Sequence, residues 1–401
     1  MKFRNTNLKF AFIAPAILFA AYMHLSATTG FVQKWMPRFT TFGFFGASAT
    51  GFSDDAPLIE VALLLDTSNS MDGLIEQAKS QLWKILNELT LAKKDGRIPN
   101  LQIALYEYGN SRLSASDGYI RQVQYFTGDM DRLSEKLFSL TTSGGEEYCG
   151  QVIHASINEL KWSADPGDLR LIYIAGNEPF TQGPVPYAQA CAGAKEKDVF
   201  VNTIYCGDHE EGIRGHWQSG AMLGKGSYSN IDHNSITAFI ETPYDERINQ
   251  LNLNLNATYI TYGAQVRDFQ ANQAMQDENA LKYSKANMAD RALFKSSANY
   301  TNANWDLVDA YKEDKEILAR EKESLPDSLQ QLSAKQLEAE VQRFMQLRED
   351  IRQEIQELGK KRRAYIEAEQ AKMADDATNN LGSSILKALR EQAKRKGFVM
   401  E

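Results

Sequence analysis

The chain has 401 residues, of which 43% are hydrophobic and 24% charged, and this composition excludes a wholly disordered protein. The formal net charge of −8 argues against nucleic acid as the main partner, because binding to phosphate backbones needs a basic face. Three cysteines exclude a disulfide framework, although the sequence leaves open a single bridge between Cys191 and Cys206.

Residues 1–30 have the pattern of a targeting segment. Three basic side chains in residues 2–9 precede an uncharged run over residues 10–23. A run of this length predicts a secretory signal, because a membrane-spanning helix needs about 20 apolar residues. A retained membrane anchor is the alternative. A signal and an anchor would both place the rest of the chain outside the cytoplasm, where it would be periplasmic, secreted or held at the membrane. Residues 31–56 are predicted to be a linker.

From residue 57 onward, apolar strands alternate with amphipathic helices. Strands are predicted at residues 58–65, 101–106, 171–175 and 199–205, with a further short one within 218–230. Helices are predicted at residues 72–92, 130–140, 150–161, 186–196 and 245–258. This alternation predicts an α/β domain over residues 57–262 with a doubly wound, mostly parallel sheet. In such sheets ligands bind at the carboxyl ends of the strands.

Residues 266–401 change composition towards Ala, Gln, Glu, Lys and Arg and predict a helical tail. A 4-3 spacing of apolar residues runs from Leu337 to Tyr365, which is typical of a coiled coil, and a coiled coil here would make a homo-oligomer. Arg348 and Arg362 interrupt this seam. The alternative is a helical hairpin, turned near residues 325–327, that folds back on itself or on the α/β domain.

The first predicted strand ends in a D-x-S-x-S motif made by Asp66, Ser68 and Ser70. One carboxylate and two hydroxyls on a single loop are hard oxygen ligands, suited to Mg²⁺, Ca²⁺ or Mn²⁺. A cation held by so few carboxylates needs a negative ligand from elsewhere. The alternative is structural: Ser70 or Asn69 caps the following helix, and Asp66 makes an Asx-turn.

The strand, motif and helix together resemble a von Willebrand factor A domain with its metal-ion-dependent adhesion site. The resemblance implies two further loops at the cation. In the Gly-rich loop at residues 143–147, Glu146 is the candidate and Glu147 the reserve. In the loop after the third predicted strand, Asn177 and Glu178 stand where the family has Asp-Gly.

The resemblance implies an exported adhesion or scaffolding module, which uses its cation (Mg²⁺ first) to bind an acidic side chain of a protein partner. It implies no catalysis, and the sequence contains neither a G-x-S-x-G elbow nor a Walker A motif. An enzyme would need Glu146, Glu147 or Glu178 as general base. The main alternative is an assembly protein in which the helical tail is the interaction element and the α/β domain a platform. Membrane association through residues 1–30 fits both functions.

Overall fold

The computed structural model describes residues 56–71, 74–231, 240–263, 266–373 and 381–400, all within one compact unit. The predicted signal or anchor, and the linker up to residue 55, lie outside these ranges. Among the helices of the described ranges, none is long and apolar enough to cross a membrane.

Six strands form the central sheet, in the order β4-β3-β1-β5-β6-β7, and two short strands, β2 and β8, pair separately. All neighbours in the central sheet are parallel except β4, which is antiparallel to β3. The doubly wound, mostly parallel fold class is therefore confirmed. The strands are β1 Leu58–Asp66, β2 Ala92–Lys93, β3 Asn100–Tyr108, β4 Ile120–Thr127, β5 Leu169–Gly176, β6 Phe200–Cys206, β7 Lys225–Ile231 and β8 Val399–Met400.

Fourteen α-helices accompany these strands in the described ranges, together with 3₁₀ turns at Asn69–Met71, Ala115–Asp117 and Lys322–Ser324. The helices of the α/β region are α1 Leu74–Thr90, α2 Met130–Phe138, α3 Cys149–Glu159, α4 Tyr187–Glu196, α5 His209–Arg214, α6 Trp217–Leu223 and α7 Asp245–Asn256. Those of the tail are α8 Val266–Tyr283, α9 Lys285–Lys295, α10 Leu307–Glu313, α11 Ile317–Arg320, α12 Asp327–Gln330, α13 Ala334–Met373 and α14 Leu381–Arg395.

The central strand β1 shows why the sheet is covered on both faces. Its side chains are buried almost throughout and alternate between two hydrophobic clusters. Val61 and Leu63 face the cluster that includes α1, α2 and α7, whereas Ala62 and Leu64 face α3, α4 and α6. Apolar residues at every position are what a strand needs when helices cover both of its faces.

The tail helices share the first of these clusters. Phe294 of α9, Ile355 of α13 and Leu389 of α14 are each 0% exposed and belong to the same apolar cluster as Trp83 of α1. The seam of α13 therefore packs within the chain, against helices α7, α9, α10 and α11. Oligomerisation through the tail stays a prediction.

The two arginines that interrupt the seam of α13 are buried and paired with carboxylates. Arg362 contacts Asp245 of α7 at 2.7 Å and Asp290 of α9 at 2.6 Å. Arg348 contacts Asp306 at 2.6 Å and Asp309 at 3.0 Å. These ion pairs join the long helix to its neighbours. The planar guanidinium group fixes the direction of each hydrogen bond, whereas apolar contacts have no fixed direction.

The structure corrects or completes the predictions in three details. The predictions do not include the edge strand β4, because its sequence, IRQVQYFT, lacks a long apolar run. Most of its residues are half-buried. The short strand predicted within 218–230 is β7, which begins at Lys225, and helix α6 covers the first part of this segment. Cys191 and Cys206 are free and lie in different apolar clusters on opposite faces of the sheet, so they do not form the bridge that the sequence leaves open.

Candidate functional site

Asp66 ends β1 with a side chain that is fully buried. Its Oδ1 accepts the backbone N–H of Ser68 at 2.7 Å. Its Oδ2 is buried without any hydrogen-bond partner. An unpartnered buried carboxylate oxygen costs free energy, because burial removes the water that would solvate it.

The two serines of the motif form a short chain of hydrogen bonds that ends on the β5 loop. The hydroxyl oxygens of Ser68 and Ser70 are 2.8 Å apart. Ser70 Oγ donates to Asn177 Oδ1 at 2.9 Å, and Asn177 Nδ2 donates back to the Ser70 carbonyl at 3.2 Å. The structure thus brings Asn177 to the motif, as the sequence predicts, and its side chain links the loops after β1 and β5.

The Gly-rich loop places Glu147 against Asp66. Glu147 is buried, and its Cγ and the Asp66 Oδ1 both lie within 3.0 Å of the point at which a Cβ on Gly109 would stand. Its charge interacts with that of Asp66. Glu146 is exposed and lines an open cleft of ≈ 540 Å³ beside the site, together with Tyr148 and other residues. Of the two glutamates that the sequence proposes, the reserve is the one that is buried next to Asp66.

Glu178 supplies a third carboxylate at this edge, and two neighbours hold its loop. Its charge acts on both Asp66 and Glu147. Gln182 donates to Glu178 Oε2 at 3.4 Å and accepts the backbone N–H of Glu147 at 3.4 Å. The Trp217 indole N–H donates to the Glu178 carbonyl at 2.8 Å. The β5 loop is therefore fixed by both its backbone and its side chains.

The electrostatics of the site reflect burial and crowding of like charges. Burial raises the pKa of Asp66 to about 7, and the charge of Glu178 adds to the rise. Burial also raises the pKa of Glu147 to about 7, with further contributions from Asp66 and Glu178. A cation at this edge would reverse both shifts, because positive charge favours the ionised carboxylates.

These residues fit a hard divalent cation by their chemistry. In the ranges that the structure covers, no three His, Cys, Asp or Glu side chains already stand close enough to hold a metal ion. The donor set differs from such a cluster, because it combines carboxylates with two serine hydroxyls and an amide. Mg²⁺ and Ca²⁺ accept this mixture of charged and neutral oxygens, and Mg²⁺ usually keeps several waters.

Gly109, directly after β3, has no side chain, and this leaves room for the side chains of Asp66 and Glu147 to approach each other. Its φ is +78°, and an added Cβ would lie 2.7 Å from Asp66 Oδ1 and 3.0 Å from Glu147 Cγ. We expect Gly109→Ala to lower the free energy of unfolding by about 2 to 4 kcal/mol, from left-handed strain plus collision. We also expect it to remove cation binding.

The matched control for this prediction is Gly96→Ala, since Gly96 has a φ of +73° and nothing within 4 Å of the added Cβ. Urea unfolding of both variants separates backbone strain, common to the two, from collision, which only Gly109 suffers. Equal losses of stability, with cation binding retained in both, would contradict this role for Gly109.

Sequence reasoning missed three residues that shape the site. Gly109, Gln182 and Trp217 lie on three different loops or elements and have no fixed spacing from the motif. Gly109 alone carries a signal, because a glycine directly after a buried strand predicts a tight turn or a close approach.

The comparisons with known proteins concern the fold. No family model matches the chain, and no curated protein matches it. Among solved structures, it is similar to the conserved hypothetical protein BatB from Bacteroides thetaiotaomicron, with 20% identity over 43% of this chain and 90% of that chain and a TM-score of 0.33. It is also similar to the SpRpn10 VWA domain, with 13% identity over 45% of this chain and 90% of that domain and a TM-score of 0.35.

A third similar structure is proximal thread matrix protein 1 from the mussel byssus, described with a zinc-occupied MIDAS motif. It has 9% identity over 45% of this chain and 43% of that chain, with a TM-score of 0.33. At such low identities and TM-scores these likenesses carry no argument about function. The fold assignment rests on the strand order and direction of this chain.

Proposed function

We propose that this chain is an exported module that binds a protein partner through a divalent cation at the carboxyl end of β1. The observation that carries the proposal is the buried, unpartnered Oδ2 of Asp66. The other oxygen of this carboxylate, Oδ1, accepts the N–H of Ser68, whose hydroxyl leads through Ser70 to the amide of Asn177, and the charge of Glu178 acts on Asp66. This edge of a parallel sheet is where ligands bind. Export rests on the targeting pattern of residues 1–30.

The residues that would hold the cation come from three loops. They are Asp66, Ser68, Ser70, Glu147, Asn177 and Glu178. Mg²⁺ is the first candidate, with Ca²⁺ and Mn²⁺ as alternatives, because all three prefer oxygen donors. When bound, the cation supplies a position that accepts an oxygen atom from the partner. The resemblance implies that an acidic side chain provides this oxygen.

The cleft beside the site would receive the partner's neighbouring residues. It is open to solvent and is lined by Ala115, Glu146, Tyr148, Gln182 and Pro184, among others. In this proposal Glu146 faces the partner and not the cation, because its side chain is exposed. Binding of this kind makes and breaks no covalent bond, so the proposed function is non-catalytic.

The first test is calorimetric titration of Mg²⁺, Ca²⁺ and Mn²⁺ into the full chain and into Asp66→Ala. We expect saturable binding to the wild type and none to the variant, because the central carboxylate is lost. Asp208→Ala is the control: Asp208 follows strand β6, two places from β1 in the sheet, but is exposed and caps α5. Absence of binding to the wild type would defeat the proposal.

The alternative, in which the tail is the interaction element, is favoured by the end of α13. Beyond Arg362, residues 363–372 contain no buried side chain, and Tyr365 is 36% exposed. Partner capture on immobilised protein separates the two functions. Loss in Asp66→Ala and release by a chelator support the cation site, whereas loss in Tyr365→Ser, with capture retained in Asp66→Ala, supports the tail.

A further inference from the structure

The amino ends of the parallel strands lie at the edge of the sheet opposite the candidate cation site. Strands β1, β3, β5, β6 and β7 run in the same direction, so all five begin at this edge. Leu58 opens β1, and residues 1–57 therefore join the domain here. The end of α14 lies at the same edge, because Lys396 Nζ donates to the Pro166 carbonyl, just before β5, at 2.9 Å.

Basic side chains line a cleft at this edge, although the whole chain has a net charge of −8. The cleft is open, has a volume of ≈ 600 Å³ and is lined by Lys225, Arg395 and Lys396, among others. Asp198 also lines it but already pairs with Lys396 and, at 3.1 Å, with Arg170. Lys225 and Arg395 are exposed, and their side chains have no hydrogen bond or ion pair with any residue that the structure describes. The cleft therefore presents positive charge to the solvent.

The surface around the cleft combines further charges with exposed apolar side chains. Lys394 is exposed at the end of α14, and Lys94, beside the exposed Asp95, follows β2. Ile98 lies between β2 and β3 and Val399 lies in β8, which pairs with β2; they are 44% and 57% exposed. Lysines and arginines next to exposed apolar side chains are typical of surfaces that enter the headgroup region of a membrane.

The predicted targeting segment favours a lipid surface over a soluble anion as the ligand. Residues 1–30 would bring the chain to a membrane, whether as a signal or as an anchor. The predicted linker, residues 31–56, would reach up to about 90 Å when extended, so it would not fix the orientation of the domain. A basic surface would fix it, because lysine and arginine side chains are attracted to an anionic leaflet over about one Debye length.

We propose that this edge docks on a membrane surface of anionic lipids. The amino-edge surface that makes the contact consists of Lys94, Ile98, Lys225, Lys394, Arg395 and Val399. Strand β1 has nine residues and is therefore about 30 Å long, so the candidate cation site at its other end would face away from the membrane. This inference goes beyond the proposed function and does not depend on cation binding.

The experiment measures the affinity of the full chain for lipid vesicles by flotation. It compares vesicles of phosphatidylcholine with vesicles that contain equal amounts of phosphatidylcholine and phosphatidylglycerol. Residues 1–30 are the same in every variant, so their contribution cancels when variants are compared by the ratio of the two affinities. We expect the wild type to prefer the anionic vesicles, and Lys225→Gln/Arg395→Gln to lose on the order of tenfold of this preference.

The matched control is Arg112→Gln/Arg214→Gln, which removes the same charge from the opposite edge of the sheet. Arg112 follows β3, Arg214 ends α5 after β6, and both are exposed. These arginines are several Debye lengths from the amino-edge surface, so the preference for anionic vesicles should change less than about twofold.

A second measurement tests the orientation on the membrane. The three native cysteines are buried, so a dye can be attached at Val399→Cys on the amino-edge surface or at Arg214→Cys on the opposite edge. A nitroxide on the lipid headgroups should quench the dye at position 399 and leave the dye at position 214 unquenched. Equal quenching of the two dyes would overturn the proposed orientation.

The vesicle experiment has three outcomes that oppose the proposal. Equal affinity of the wild type for both kinds of vesicle would overturn it, and so would equal losses in the two double variants. Inorganic phosphate that displaces the wild type from anionic vesicles, beyond the effect of sodium chloride at the same ionic strength, would assign the cleft to a small anion instead. Each of these results leaves the calorimetric test of the cation site unaffected.

Discussion

Replacing Arg348 with methionine is expected to lower the free energy of unfolding by about 3 to 5 kcal/mol. Arg348 is fully buried and donates to Asp306 at 2.6 Å, to Asp309 at 3.0 Å and to the Thr258 carbonyl at 2.7 Å. Methionine keeps much of the side-chain length but leaves Asp306 buried without its cation, and Asp309 with only the partly exposed Lys312 at 3.3 Å. The measurement is urea unfolding of the full chain, in which this loss is a large part of a typical stability.

The control for this prediction lies on the same helix. Arg343 also pairs with a carboxylate, Glu340 at 2.6 Å, but its side chain is 57% exposed. We expect Arg343→Met to change stability by less than about 1 kcal/mol, because exposed pairs are screened by solvent. Similar losses in the two variants would show that burial of the Arg348 cluster contributes nothing beyond helix propensity.

Arg348 and Arg362 also show why the packing of the tail against the α/β domain could not be predicted. The sequence indicates Arg348 and Arg362 only as interruptions of an apolar seam, because spacing carries no information about distant partners. Asp245 precedes Arg362 by 117 residues, and Asp306 precedes Arg348 by 42 residues. Pairings at such separations depend on the tertiary fold, so a single sequence does not reveal them.

The sheet could be predicted because its inner strands are buried on both faces. Nearly continuous apolar runs such as Leu58–Asp66 have few other structures available to them, and the helices between them impose parallel pairing. The edge strand Ile120–Thr127 lacks this signal, since one of its sides faces solvent and its residues are mostly half-buried. Predictability therefore follows burial.

The residues of the candidate site also differ in how well the sequence predicts them. Asp66, Ser68 and Ser70 follow a strand directly, so their spacing fixes them to one loop. The choice between Glu146 and Glu147 depends on an irregular loop, where no period determines which side chain points inward. A Cβ on Gly145 would lie 2.4 Å from the Gly109 carbonyl. The close packing of the Gly145 loop against the Gly109 loop determines which glutamate points inward. No local sequence pattern indicates this contact.

The second large effect concerns Asp66 in the absence of a cation. We expect Asp66→Asn to raise the free energy of unfolding by about 2 to 4 kcal/mol at pH 8 in a chelator. The wild type must bury an ionised carboxylate whose pKa is raised from 3.8 to about 7, chiefly by burial. Asparagine has nearly the same shape and carries no charge.

The sign of the pH dependence follows from this raised pKa. Below about pH 4 the carboxyl of Asp66 is protonated in both the folded and the unfolded chain, and the two proteins should be equally stable. As the pH rises, the unfolded chain ionises first, so the wild type loses stability until the folded group has also ionised above pH 7. The advantage of Asp66→Asn should therefore grow between about pH 4 and 7 and then level off.

A saturating cation should reverse the order of the two proteins. Binding to the folded state at 1,000 times the dissociation constant stabilises the wild type by about 4.1 kcal/mol, which exceeds the advantage of the variant, and the variant gains nothing. The measurement is urea unfolding of both proteins under four conditions, at pH 4.5 and at pH 8, each with chelator and with Mg²⁺. The Asx-turn from Ser68 N–H to Asp66 Oδ1 gives the contrary expectation. If Asp66 were only a structural cap, Asp66→Asn would be no more stable than the wild type in chelator, and Mg²⁺ would affect neither protein.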